Sequence, residues 1–155
     1  MRVKRAARGA AGQPIPLDDT AARSWCQALA RSLPVQHIAP TGLPYLDRYF
    51  AAGWNPTTKR PGPAIYLHHF RASDPAVAVH SHPWGWSASL ILAGGYREER
   101  CTPTGVVVRE YRPGAVNVLT AADQHRVDLL GEDCWTLFLA GSFERPWGFA
   151  PGCGT

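Results

Sequence analysis

Cysteine is scarce in this 155-residue chain, and its spacing fits neither a metal site nor a disulfide framework. The four cysteines, Cys26, Cys101, Cys134 and Cys153, form no CxxC pair and are too few for a disulfide-dense scaffold. We therefore expect reduced thiols and a cytoplasmic location. The sequence leaves open whether one of them, such as Cys101, forms a crosslink.

Long hydrophobic runs and a basic surface patch are also missing. No apolar run approaches the length of a membrane span, and residues 6–12 are too short and too poor in large apolar side chains for a secretory signal. The net charge is +4, and Arg2, Lys4, Arg5 and Arg8 supply much of the excess. Because the remainder is nearly neutral, we expect neither a nucleic-acid nor a membrane partner.

Methionine occurs once, whereas the chain has 15 glycines and 14 prolines. Together with long stretches of β-branched and aromatic residues, this composition indicates short strands joined by tight turns. A chain of 155 residues with 45% hydrophobic residues can bury one sizeable core. We expect a flexible basic arm over residues 1–16 and a single domain over residues 17–155.

The periodicity of apolar residues predicts one helix followed by an all-β body. A helix is expected at about 18–32, because Asp18 and Asp19 offer an N-cap and Pro34 ends the helical spacing. Residues 34–63 carry mostly turn signals. After Pro63 the period becomes two, which predicts seven short strands at about 64–70, 76–82, 87–99, 106–112, 115–120, 125–130 and 134–141. Hairpin or corner turns are expected at Gly94-Gly95, Pro103-Thr104-Gly105, Pro113-Gly114 and Gly131-Glu132-Asp133.

The segment His80-Ser81-His82-Pro83-Trp84 carries the chemistry. Side chains at i and i+2 of a strand leave the same face, so two imidazoles can converge on one ion. A third donor must come from another strand, and His125 opens a strand pattern in which Val127 and Leu129 share its face. A His-x-His pair alone also occurs by chance on exposed strands. With His125, the pattern predicts a site for a divalent metal such as iron, zinc or nickel.

These residues resemble the cupins. The first cupin motif is a His-x-His pair closed by glycine, which matches His80, His82 and Gly94 or Gly95. The second is a Pro-Gly turn followed by histidine, which matches Pro113-Gly114 and His125. A group of small bacterial and phage-associated cupins is similar at His80–Trp84, Gly94–Glu98, Trp135–Leu137 and Arg145–Phe149. The resemblance spans about residues 65–149 and implies a double-stranded β-helix, or jelly-roll barrel, with one N-terminal helix.

The cupin glutamate that normally follows the histidine pair is absent, because Trp86, Ser87 and Ala88 stand where it is expected. The remaining ligand set resembles that of the cysteine dioxygenase type of cupin oxygenase. That resemblance implies Fe(II) as the cofactor, with zinc, nickel or manganese as alternatives. Without a carboxylate ligand the ion keeps more positive charge, which favours an anionic or chelating substrate.

Two residues are candidates for a catalytic role beside the metal. Strand alternation places His68 on one face with Tyr66 and Phe70, and His68 matches a histidine common in the resembling group. It could support one of the metal-binding histidines or carry a proton, or it could be a hydrogen-bonded core histidine. Tyr96 could donate a proton or a hydrogen bond near the open coordination positions.

Five residues are candidates for substrate binding. Trp84, Trp86 and Trp147 could line an apolar pocket, although ordinary core packing explains tryptophans equally well. Arg97 and Arg126 could clamp a carboxylate, although arginines are commoner on the surface. Glu98 is interpreted as a cross-strand partner of arginines on a solvated face.

The sequence therefore predicts a mononuclear non-haem Fe(II) oxygenase or oxidase of the dioxygenase type, using dioxygen on a small polar substrate. The oxygenase assignment follows from the resemblance, since the fold alone supports many chemistries. Two alternatives stay open: a zinc or nickel hydrolase or isomerase, and a non-catalytic metal-cupin that binds a small ligand. Cupins often pair through edge strands or N-terminal segments, so a homodimer is also expected.

Overall fold

One helix and nine strands make up the part of the chain that the computed structural model describes, residues 18–40, 42–53, 62–74, 78–146 and 148–151. The predicted arm, Trp147 and Cys153 lie outside the described residues. The strands are β1 (Val35–Ile38), β2 (Leu46–Gly53), β3 (Ala64–Phe70), β4 (Ala78–Ser81), β5 (Trp86–Thr102), β6 (Gly105–Tyr111), β7 (Val116–Thr120), β8 (His125–Ala140) and β9 (Gly148–Pro151). All strand pairs of the described residues are antiparallel, and the predicted all-β fold is confirmed.

Helix α1 (Asp19–Ala30) covers part of the outer face of the sheet. The Asp18 carboxylate caps its N-terminus by accepting a hydrogen bond from the Thr20 amide at 3.0 Å. Its buried residues Cys26 and Ala30 pack against a cluster that includes Leu67, Ala93 and Trp135. The predicted helix is confirmed. Among the described residues, no helix combines the length and apolar character that a membrane span requires.

Two long strands, β5 and β8, pair with each other and with most of the other strands, so they connect the parts of the barrel. The first half of β5 pairs with β7 and its second half pairs with β6, while β8 lies along its other side. The second half of β8 also pairs with β3, and His125 at its start pairs with β4. Strands β3, β4, β6 and β7 are therefore linked through β5 and β8 into one barrel.

The interior is aromatic, and strand alternation decides what enters it. Tyr66, Phe138 and Trp84 belong to one buried cluster, and Tyr96 and Tyr111 to another. On the opposite face of the same sheet, Leu67 and Trp135 pack under α1. Strands β3 and β8 thus supply one set of side chains to the interior and the other set to the face under α1.

The stretch 34–63 differs from its interpretation as turns, because it contains β1 and β2. These strands pair with each other, and β2 also pairs with β3, so their stability comes from tertiary pairing that local composition does not reveal. The turn predicted at residues 131–133 is also wrong, since β8 continues through it. Turns at Pro103-Thr104 and Pro113-Gly114 are present as predicted.

The expectation for the cysteines holds in part. Cys26 and Cys134 are free and buried, and burial raises their thiol pKa values to about 11 and about 12. Cys101 is disulfide-bonded, so the expectation of reduced thiols is wrong for this residue. Cysteine spacing could not show this, because the fold decides which thiols meet.

Gly94 is a bulge position in β5 rather than a hairpin turn. The register shifts between Gly94 and Tyr96, and Gly94 has a φ of 72°. Its amide donates to the Asp19 carboxylate of α1 at 2.6 Å, and a Cβ at this position would collide with the Asp133 carbonyl oxygen. The bulge therefore bends β5 and attaches the helix to the sheet.

We predict that Gly94→Ala lowers the free energy of unfolding by about 2 kcal/mol more than Gly114→Ala does. Both glycines have positive φ, 72° and 88°, so both substitutions carry the backbone strain. A Cβ at Gly114 meets nothing within 4 Å, whereas a Cβ at Gly94 meets backbone atoms. Urea denaturation of the two variants measures the difference, and equal losses would contradict the packing described for Gly94.

Candidate metal centre

Three histidines from two strand segments converge inside the barrel. His80 lies in β4 and His82 follows two residues later, so both side chains leave the same face. His125 begins β8 directly opposite His80 in the strand register. One nitrogen of each ring lies within 4.8 Å of the others. The sequence prediction thus named three residues that the fold brings together.

The donor geometry fits one metal ion. The Nε2 atoms of His82 and His125 are 2.9 Å apart, and the ring centroids of the three histidines are separated by 4.5 to 5.2 Å. Imidazole nitrogens bind zinc at about 2.0–2.1 Å, so two of them at right angles on one ion lie about 3 Å apart. Among the described residues, no carboxylate joins this cluster. The set is three imidazoles, which suits iron, zinc, copper or nickel.

Glu98 holds the ring of His125 in position. Its carboxylate accepts a hydrogen bond from Nδ1 of His125 at 2.7 Å, which leaves Nε2 free for a metal. Asn117 and Arg100 donate to the same carboxylate at 2.9 and 3.0 Å. Burial raises the pKa of Glu98, but the hydrogen bonds from His125 and Asn117 outweigh it and lower the pKa to about 2. A buried ionised carboxylate therefore stands behind this ligand.

Asp74 lies beside His80 at a longer distance. Its Oδ2 lies 3.3 Å from Nδ1 of His80 and accepts a hydrogen bond from the Val127 amide at 2.7 Å, while Tyr45 donates to Oδ1. Burial raises the pKa of Asp74, but the neighbouring His80 and the hydrogen bonds from Tyr45 and Val127 give a net lowering. Two of the three rings are thus oriented by carboxylates, as in metal-bound histidines.

Two of the histidines, His82 and His125, are held in the neutral form that binds metals. Burial lowers the pKa of His82 well below its usual value, and the neighbouring His125 lowers it further. Burial also lowers the pKa of His125, although Glu98 opposes the shift. A neutral imidazole has a lone pair for a metal without first losing a proton.

A cavity of about 500 Å³ opens in front of the three histidines. Its size is in the range of small-molecule sites. The wall is largely aromatic, with polar groups at a few points, and it includes Tyr45, Phe70, Trp84, Tyr96, Phe138, Arg48, His68, Ser89 and Asn117. This arrangement can enclose a small ligand and restrict the access of water.

Two of the sequence candidates, Trp84 and Tyr96, line this cavity. Trp84 is buried, and its ring stacks on His82 with centroids 5.9 Å apart. The Tyr96 hydroxyl accepts a hydrogen bond from Asn117 at 3.1 Å. Burial raises the pKa of Tyr96 well above its usual value, so the phenol keeps its proton.

Three candidates for substrate binding lie elsewhere. Trp86 is 48% exposed, because alternation along β5 turns it to the outer face. Arg97 pairs with Asp128 at 2.8 Å, and Arg126 pairs with Glu99 and Asp128. None of the three lines the cavity. Trp147 lies outside the described residues.

His68 points inward, as alternation predicts, and contacts an arginine that sequence analysis missed. Its Nε2 accepts a hydrogen bond from Nε of Arg48 at 3.1 Å, and its ring stacks on Phe138 with centroids 4.7 Å apart. Burial and the charge of Arg48 lower the pKa of His68 well below its usual value. Arg48 also lines the cavity and lies over the rings of Tyr66 and Trp84.

Glu98, Arg48 and Asp74 were not recognised as site residues from the sequence. They differ in whether a sequence pattern could have identified them. Glu98 is 1% exposed, so its interpretation as a surface partner is wrong. Its spacing from Tyr96 and Arg100 places the three on one face of β5, a signal that was available. Arg48 is two residues from the buried Leu46 and Phe50 and shares their strand face, but this signal required β2 to be recognised. Asp74 lies between β3 and β4, and no local pattern identifies it.

Comparisons with known proteins identify the fold. No family model and no curated protein matches the sequence. Hydroxypropylphosphonic acid epoxidase from S. wedmorenis is similar in structure, with a TM-score of 0.54 and 10% identity over 72% of this chain and 56% of that chain. The chain thus spans little more than half the length of the epoxidase.

Two further structures are similar. Streptomyces albus HEPD, with 2-hydroxyethylphosphonate and Fe(II) bound, has a TM-score of 0.58 and 10% identity over 74% of this chain and 25% of that chain. A Klebsiella pneumoniae protein with a double-stranded β-helix domain has a TM-score of 0.51 and 14% identity over 74% and 90%. The chain therefore has the cupin fold, a double-stranded β-helix, with a cluster of three histidines inside it.

Proposed function

We propose that the protein is a mononuclear non-haem iron(II) oxygenase or oxidase that acts on a small polar substrate with dioxygen. One observation carries the proposal: among the described residues, three imidazoles and no carboxylate converge at the wall of an aromatic cavity. Such a set occupies only part of the coordination sphere of a metal. When bound, iron(II) supplies the one-electron chemistry that lets dioxygen react with a substrate.

The residues around the histidines have separate tasks in this proposal. Glu98 and Asp74 orient His125 and His80, and their charges offset part of the charge of a bound cation. Trp84 and Phe138 exclude water from the cavity. Tyr96 keeps its proton at Oη and can donate it in a hydrogen bond to a bound oxygen atom of the substrate. The proposed catalytic group is thus Tyr96.

Two structural neighbours support iron as the metal. HEPD binds Fe(II) together with 2-hydroxyethylphosphonate, and a second neighbour is an Fe(II)-containing epoxidase. Their identity with this chain is 10%, so the choice of iron belongs to the proposal. The expected homodimer and cytoplasmic location also stay predictions.

The first prediction concerns metal content and dioxygen uptake. Protein purified without oxygen contains close to one iron per chain, and His82→Ala loses it because one of three ligands is gone. Wild type takes up dioxygen when small hydroxy acids or hydroxyphosphonates are added, and the variant does not. Elemental analysis and an oxygen electrode measure the two quantities.

His37→Ala is the matched control for this experiment. The side chain of His37 is 70% exposed and contacts Asp47, away from the three histidines, so this variant keeps its metal. Zinc or nickel without dioxygen uptake would contradict the oxygenase and favour a hydrolase or isomerase. Ligand binding without turnover would favour a binding module, and a metal-free wild type would contradict the metal site.

The second prediction concerns the carboxylate behind His125. Glu98→Gln keeps the shape but removes the charge, so we expect metal affinity to fall by about 10- to 100-fold. Competition with a chelator of known affinity measures the change. Glu110→Gln is the control, because Glu110 is an exposed residue paired with Arg112 at 2.9 Å. Equal affinities for the two variants would show that Glu98 does not support the metal site.

A further inference from the structure

Arg48 lines the cavity and has no acidic partner, whereas the other described arginines without an ion pair, Arg31, Arg109 and Arg145, are exposed. Six others form ion pairs with carboxylates: Arg23, Arg71, Arg97, Arg100, Arg112 and Arg126. All twelve aspartate and glutamate residues lie within the described residues, and no ion pair joins one of them to Arg48. The positive charge of Arg48 is therefore not balanced by a side-chain carboxylate.

The surroundings of Arg48 hold it in place without neutralising it. Its Nε donates to Nε2 of His68, and its guanidinium carbon lies 5.1 Å from the Tyr66 ring centre and 5.6 Å from that of Trp84. A guanidinium keeps its proton in proteins, so Nε2 of His68 must be the unprotonated acceptor. His68 is thus a neutral positioning residue. The contacts with Tyr66 and Trp84 offset only part of the desolvation of the charge.

Arg48 lies beside the three-histidine centre and in the same cavity. Trp84 is 5.6 Å from the guanidinium carbon and 5.9 Å from the His82 ring, which keeps the two groups within about 12 Å of each other. His68 and His82 both contact Phe138, with ring centroids 4.7 and 5.8 Å apart. Arg48 and the three histidines therefore belong to the wall of one cavity, so a ligand bound in that cavity is close to both.

We propose that Arg48, positioned by His68, binds the anionic group of the substrate, and that the substrate is a small oxyanion, a carboxylate or a phosphonate. Two guanidinium N–H groups can meet two oxygens of such a group, whereas a neutral substrate would leave the charge unpaired in an aromatic wall. Burial lowers the pKa of Arg48, in line with a charge that is incompletely solvated. The inference rests on the proposed small-molecule function and assigns its substrate class.

Calorimetric titration tests the proposal with three probes of similar size. The probes are 2-hydroxypropanoate, 2-hydroxyethylphosphonate and the neutral propane-1,2-diol, added to the full-length protein as purified and after chelation of its metal. We expect wild type to bind at least one anion more than 10-fold more tightly than the diol. The difference between the two anions identifies whether the site prefers a carboxylate or a phosphonate.

Arg48→Met is the decisive variant, because it keeps the length of the side chain and removes the charge. We expect its affinity for the preferred anion to fall by about 10- to 100-fold while the metal content is unchanged. Its melting temperature without anion is expected to equal or exceed that of wild type, because an uncompensated charge is lost. Arg112→Met, which removes an exposed arginine paired with Glu110, leaves anion affinity unchanged.

Either of two results would overturn the proposal: no preference of wild type for the anions over the diol, or equal anion affinity of Arg48→Met and wild type. If Arg48→Met does not fold, Arg48→Lys decides, since a lysine keeps the charge without the two-pronged geometry. Unchanged anion affinity in Arg48→Lys would then count against the proposal. Because binding is measured without turnover and also without metal, these results are separate from failure of the oxygenase proposal.

Discussion

The pairing of β4 with the start of β8 is the constraint on which the site depends. Residues directly opposite on antiparallel strands have their side chains on the same face, so the register that places His80 across from His125 also aligns their rings. A shift of one residue would turn His125 outward and destroy the cluster. The continuity of β8, which also pairs with β3 and β5, holds this register in place.

The interior of the barrel contains more ionisable groups than a core needs for stability. Glu98 and Asp74 are at most 5% exposed, and each accepts hydrogen bonds and lies beside a histidine ring. These contacts offset the desolvation of the carboxylates and give the rings a fixed orientation. Arg48 has no such compensation from a carboxylate. The two groups therefore differ in function. The carboxylates of Glu98 and Asp74 support a cation site, and the guanidinium of Arg48 is neutralised by an anionic ligand from solution.

The sequence predicted the fold and the three histidines for definable reasons. Strand periodicity places His80 and His82 on one face. His125 follows the turn at Pro113-Gly114, as in the second cupin motif. These local patterns were sufficient to identify the three histidines. Asp74 was missed because its role comes from tertiary neighbours, and Arg48 because β2 was not recognised. Glu98 was placed on the solvated face, although strand spacing puts it on one face with Tyr96 and Arg100. Trp86, Arg97 and Arg126 were chosen by residue type, and the structure turns them away from the cavity because facing depends on strand register. The bulge at Gly94 shows how one residue changes that facing within a single strand.

X-ray absorption at the iron edge of the iron-loaded protein tests the central claim, that the three histidines hold one metal ion, most directly. We predict that only nitrogen or oxygen atoms are bound to the iron, that more distant scattering comes from three imidazole rings, and that no sulfur contributes. Scattering from one imidazole or none, or a sulfur ligand, would contradict the three-histidine centre and the function built on it.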